Sequence, residues 1–163
     1  MQNIKDTDNL TVLLGADIMR QLVDIDCTFD DELVDYYISF LKTLVMRLSK
    51  LPHLMMLFYN PTLKVYPLFL QSQQFANHND QLVRTSVRTI ALTLLSMDNE
   101  DQRLFQFMPQ GQFFINLAMS LRDQWLKIDS LVQKNPNDPL LTRLIEDGVE
   151  VLEFIQDVYD VVI

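Results

Sequence analysis

Residues 31–49 constrain the fold more than any other stretch of this chain. Their polar side chains Asp35, Ser39, Lys42, Thr43 and Arg47, continued by Lys50, form one narrow stripe at helical spacing. Leu33, Val34, Tyr37, Ile38, Phe40, Leu41, Leu44, Val45 and Leu48 cover most of the remaining surface. A helix this apolar is buried on more than one side, so it must lie between neighbouring helices. Residues 80–96 carry a related pattern, with Asp80, Leu82, Val83, Arg84, Val87, Arg88, Ala91 and Leu95 spaced like the second helix of a HEAT or armadillo repeat. No clean repeat period recurs elsewhere, so the repeat reading rests on that helix and on the architecture. The expectation is an all-α fold, an armadillo/HEAT-like helical stack.

The remaining helices follow from start and stop signals. Gly15 is a C-terminal cap between helices at 8–14 and 16–25. Asp30 caps 31–49, with Asp31 and Glu32 in its first turn and Phe29 and Val34 placed as a hydrophobic staple. Pro52 opens a helix at 52–59 and Pro61 follows its end. Another helix spans 66–76, and the polar cluster 77–80 caps 80–96. Helices at 99–107 and 112–134 come next, and Asp138 with Pro139 starts a final one to 161. No run of alternating polarity is long enough for a convincing strand.

Composition agrees. With 163 residues the chain reads as one domain with a sizeable core, 1–163. Only three glycines occur, which favours helices joined by short loops over a turn-rich β-fold. The single Cys27 forms no internal disulfide, and two histidines, His53 and His78, are too few to build a zinc site with it. A reducing, cytoplasmic setting fits best. The N-terminus is polar, with no signal peptide evident, and the longest uncharged run, 104–121, is broken by Pro109 and Gly111, so no membrane span is expected.

The net charge of −9 is unevenly placed. Residues 98–163 hold 12 acidic and 5 basic side chains. No acidic residue lies between Tyr36 and Asn79, where Lys42, Arg47, Lys50 and Lys64 sit. Such a chain lacks the broad basic surface that nucleic acid requires. The acid-free middle could still meet an acidic partner or an anionic lipid surface, a peripheral association.

The candidate contact residues each have a plainer reading. Arg84 and Arg88, one turn apart, could grip an acidic helix or a lipid headgroup. The plainer reading, which the spacing favours, is that they tie the fold together, since Asp80 lies four residues before Arg84. Tyr36 sits at the helix boundary and could anchor a partner. Its neighbour Tyr37 falls on the core face, where a hydroxyl finds a buried acceptor. Glu146, Glu150, Glu153, Asp157 and Asp160 line one stripe of the last helix, which is a solvated face or a contact for a basic surface. Cys27 has no His and acid at a supporting spacing, and no glycine-rich phosphate loop occurs. No catalytic residue, cofactor site or metal site is expected, and the chain does not read as an enzyme. The apolar end of the sequence, 161–163, either packs inward or continues in a longer chain.

Several short runs share a further property. FDDE at 29–32, YYISFLKTL at 36–44, FYN at 58–60, FANH at 75–78, Val83 with Arg84, and VRTI at 87–90 resemble, in order and spacing, the FPL-domain family. These are the Ema/Gop-type endosomal-maturation and autophagy proteins of animals and their plant relatives. The resemblance is strong over 29–97 and looser over 98–163. Family members are several times longer and have helices before the point where this chain begins, so the resemblance implies part of a larger FPL-type helical domain. It implies a scaffold or adaptor in endosomal, lysosomal or autophagic vesicle traffic, cytoplasmic or peripheral on membranes. The implied partners are small GTPases, tethering-complex subunits or ubiquitin-ligase components. Ubiquitin-ligase activity is ascribed to some members, but this chain lacks the Cys/His framework of a RING domain, leaving a scaffold role. The alternative is a purely structural segment of a larger assembly.

Overall fold

A computed structural model describes residues 12, 17–25, 31–51, 54, 57–60, 62, 66–97 and 113–162. The described residues form six helices: α1 Asp17–Val23, α2 Asp31–Leu48, α3 Pro67–Gln73, α4 Gln81–Met97, α5 Phe113–Lys134 and α6 Pro139–Val162. No strand occurs among them. The expected helices at 8–14 and 99–107, the Gly15 and Asp30 caps, the Phe29 staple, Cys27 and His53 lie outside the described residues. The chain divides into two compact units, Met1–Leu104 and Phe105–Ile163.

In the first unit, α2 and α4 pack along their lengths and α3 touches both. The buried residues of α2 are Val34, Tyr37, Ile38, Leu41, Leu44, Val45 and Leu48, spaced at three and four. Those of α4 are Val83, Val87, Ile90, Ala91, Leu94 and Leu95. Full burial of one such leucine contributes about 2 kcal/mol, so this seam is the main stabilising element of the unit. The buried arc of α2 is narrower than its sequence suggests, because Leu33 and Met46 are exposed and Phe40 is half-buried. From α3, Leu68, Phe69 and Ser72 are buried, and the Ser72 hydroxyl donates to the Phe69 carbonyl at 2.8 Å.

Helix ends follow local chemistry. At the C-terminus of α2 the bonds tighten to three-residue steps, Lys50 to Arg47 at 3.2 Å and Leu51 to Leu48 at 2.9 Å. Pro52 disfavours a helical Leu51 and ends the run. Within the expected helix 52–59, the described residues Leu54, Leu57 and Phe58 lie in 3₁₀ turns. The expected helix at 66–76 stays regular only to Gln73, then continues as turns, Phe75 to Ser72 at 3.1 Å and Ala76 to Gln73 at 3.2 Å. Tyr66 is extended at its start, and Pro67 takes the first helical position, where no backbone donor is needed.

The second unit contains an antiparallel hairpin of α5 and α6. Phe113 meets Phe154 edge-on with ring centroids 6.3 Å apart, and Gln124 donates to the Leu144 carbonyl at 2.9 Å. The joining turn is built by Asn135 and Asp138. The Asn135 amide donates to Leu131 at 2.8 Å, and the Asp138 carboxylate accepts the Leu140 amide at 2.9 Å. Asp138 is therefore the cap that the sequence indicates, with Pro139 directly after it.

Candidate interaction surface

The candidate contact residues fall into three sets. The first is the lead-in to α4. The Asp80 carboxylate accepts the Leu82 amide at 2.6 Å, closing one of the orphan donors of the first turn. The Asp80 amide in turn donates to His78 Nδ1 at 3.1 Å. Arg84, half-buried, donates to the carbonyls of His78 at 3.1 Å and Asn79 at 3.0 Å. Its guanidinium thus clasps the turn that precedes its own helix. Arg88 lies one turn further along and is also half-buried.

The second set is the outward face of α2. Tyr36 is 76% exposed. Its neighbour Tyr37 is buried, its hydroxyl donating to the Val23 carbonyl and its ring edge-on to Phe75 at 6.0 Å. The pair thus separates into one side chain that locks α1 to α2 and one that faces outward. Towards the end of α2, Lys42, Thr43, Met46, Arg47 and Lys50 line a shallow open depression. It is basic and carries one exposed methionine, suited to a diffuse anionic surface rather than to an enclosed ligand.

The third set is the hairpin. Glu146, Glu153, Asp157 and Asp160 are exposed on α6 and Glu150 is half-buried, so the acidic stripe forms as the sequence arranges it. The Asp160 carboxylate accepts from the Gln156 side-chain Nε2 at 2.8 Å. Sequence reasoning did not single out Trp125, which is 50% exposed on α5, or treat Ile145, Leu152 and Tyr159 of α6 as surface residues, though all are exposed. The available signal was arc width: beside its acidic stripe, α6 has more apolar surface than one partner helix covers.

The candidates are spread over three helices. Arg84 and Arg88 lie on α4, Tyr36 and Lys42 on α2, and the carboxylates on α6. Among the described residues no group of three His, Cys, Asp or Glu is placed to hold a metal ion, and no helix is long and apolar enough to cross a membrane.

Comparison with known proteins defines the context. Protein CLEC16A of Homo sapiens is 27% identical over 164 residues, covering 96% of this chain and 15% of that protein. Its Drosophila melanogaster homolog is 28% identical over 162 residues, with the same 96% and 15% coverage. Protein TRANSPARENT TESTA 9 of Arabidopsis thaliana is 26% identical over 158 residues, covering 92% of this chain and 19% of its own. The chain therefore spans less than a fifth of the length of the curated relatives it matches. No solved structure matches. The family described as "FPL: Uncharacterised conserved protein" matches residues 1–95, more than half the chain, and the protein belongs to it.

Proposed function

We propose that this chain is a non-enzymatic interaction scaffold in endosomal, lysosomal or autophagic membrane traffic, working in the cytoplasm or on the membrane periphery. It forms part of a larger FPL-type helical domain, stacked in armadillo/HEAT-like fashion. The observation that carries this reading is FPL membership over 1–95, which takes in α2, all but the last two residues of α4, and every run of the family resemblance. Recognition would rest on shape and charge, with small GTPases, tethering subunits or ubiquitin-ligase components as partners and no covalent step. The test is proximity labelling in the native cells, comparing the wild type with Arg84→Glu/Arg88→Glu after circular dichroism of both. Endosomal or tethering proteins recovered with the wild type and lost with a folded double variant support the adaptor and locate its contact on α4. If the wild type recovers none, the trafficking role fails.

A second reading, a structural segment of a larger assembly, is favoured by the exposed apolar residues of α5 and α6. Self-association of the isolated chain, measured by analytical ultracentrifugation, would support it. A monomer with one discrete contact patch would support the adaptor.

A further inference from the structure

The hairpin has two different sides, and a seven-residue rhythm defines them. Gln124 with its bond to Leu144, and Gly148 facing Gln124 and Ile128, mark the seam between the helices. Leu117, Gln124 and Leu131 of α5, and Leu144, Val151 and Val158 of α6, are half-buried or buried along it. One residue after each lies Ala118, Trp125, Val132, Ile145, Leu152 or Tyr159, and all six are apolar or aromatic and exposed. One residue before each lies Asn116, Asp123, Ser130, Arg143, Glu150 or Asp157, all polar. Each step turns a helix by about 100° in the same sense. In an antiparallel pair of right-handed helices, the positions one step after the seam fall on the same side of both. The hairpin therefore presents one continuous apolar side and one polar side.

The edge of the apolar side is charged on α6. Two residues after the seam positions come Glu146, Glu153 and Asp160, all exposed. Their seven-residue spacing puts them about 10 Å apart along the helix. No lysine or arginine follows Arg143 in the chain, so nothing further along α6 neutralises this edge.

We propose that this side receives an amphipathic helix of a partner protein, with an apolar stripe against Trp125, Leu152 and Tyr159. A lysine- or arginine-bearing flank lies along Glu146, Glu153 and Asp160. The two-helix apolar surface fixes the helical shape of the occupant, and the one-sided acidic edge fixes its charge and its alignment beside α6. An anionic membrane is disfavoured by the same carboxylates. The proposal deepens the interaction-module reading by naming a contact and the chemistry of its occupant.

Trp125 is the only tryptophan in the chain, so its fluorescence reports on this side alone. The experiment titrates the purified protein with a synthetic heptad peptide bearing leucines on one face and lysines on the flank. A second peptide carries glutamates in place of those lysines. The expected result is a blue shift of Trp125 emission and shielding from acrylamide with the lysine peptide, and binding weaker by about tenfold or more with the glutamate peptide. Glu146→Lys/Glu153→Lys should reverse that preference, and Leu152→Asp should abolish binding of both peptides. All three positions are exposed, and circular dichroism confirms that each variant remains folded.

Equal binding of both peptides, or of neither, overturns the proposal. So does a Trp125 already shielded in the dilute free protein, which would mean that the chain covers this side itself. Shielding that grows with protein concentration would assign the side to a second copy. If these titrations fail while labelling still recovers trafficking proteins, the adaptor stands and its contact lies elsewhere. If the titrations succeed while labelling recovers none, the contact stands without the trafficking role.

Discussion

Tyr36 and Tyr37 are one position apart and have opposite energetic roles. Removing the Tyr37 hydroxyl leaves the Val23 carbonyl without its donor in a buried setting. Tyr37→Phe is expected to lower stability by about 1–2 kcal/mol in urea unfolding, whereas Tyr36→Ala stays within about 0.5 kcal/mol. Asp80→Ala and Asp138→Ala should each cost about 1 kcal/mol, since each carboxylate accepts a first-turn amide of its helix. Gly148 gives a change of the other sign. A Cβ there meets Gln124 Cγ at 3.6 Å, an ordinary contact, so Gly148→Ala should raise the melting temperature through a stabilisation of about 0.5–1 kcal/mol. The two caps were legible in the sequence because capping is decided by a few adjacent residues. For Arg84 the sequence offers a role within the fold but not its partners: the bonds to the His78 and Asn79 carbonyls depend on how the preceding turn folds, and residue spacing carries no such information.

At the scale of the element, α2, α4, α5 and α6 begin and end within a residue or two of where periodicity and capping place them. Their long apolar stripes and clear start signals leave few alternatives. α3 is shorter than the sequence predicts because the helical spacing of Leu68, Phe69, Phe75 and Ala76 continues past Gln73 while the backbone tightens into turns. Periodicity detects an apolar face but not the switch from four-residue to three-residue bonding. The width of an apolar arc was legible too, but not whether a neighbour covers it. The α2 arc is covered at Leu44 and open at Leu33, and the sequence makes both leucine. Leu44→Ala is accordingly expected to cost about 2–5 kcal/mol, read by chemical denaturation, and Leu33→Ala to cost far less.

For the whole molecule, the net charge of −9 with no basic tract opposes phosphate backbones. Fluorescence anisotropy with a labelled single-stranded oligonucleotide is expected to show no binding at physiological salt. An autoubiquitination reaction with the purified chain and no added ligase should likewise be blank, and robust transfer would sink the non-enzymatic reading. The hairpin also has a kinetic consequence. Its two helices are joined by the short turn 135–138, so their pairing can zip outward from that turn towards Gln124–Leu144 and then Phe113–Phe154, whereas pairing α2 with α4 requires closing the chain across α3. Local closure takes on the order of microseconds, and wider closures come later. In refolding from denaturant, backbone protection should therefore appear in α5 and α6 before it appears around Leu41 and Leu94. The apolar side of the hairpin would then be complete while the α2–α4 seam is still open, which makes that early interval the one in which a helical partner or a chaperone competes best for it.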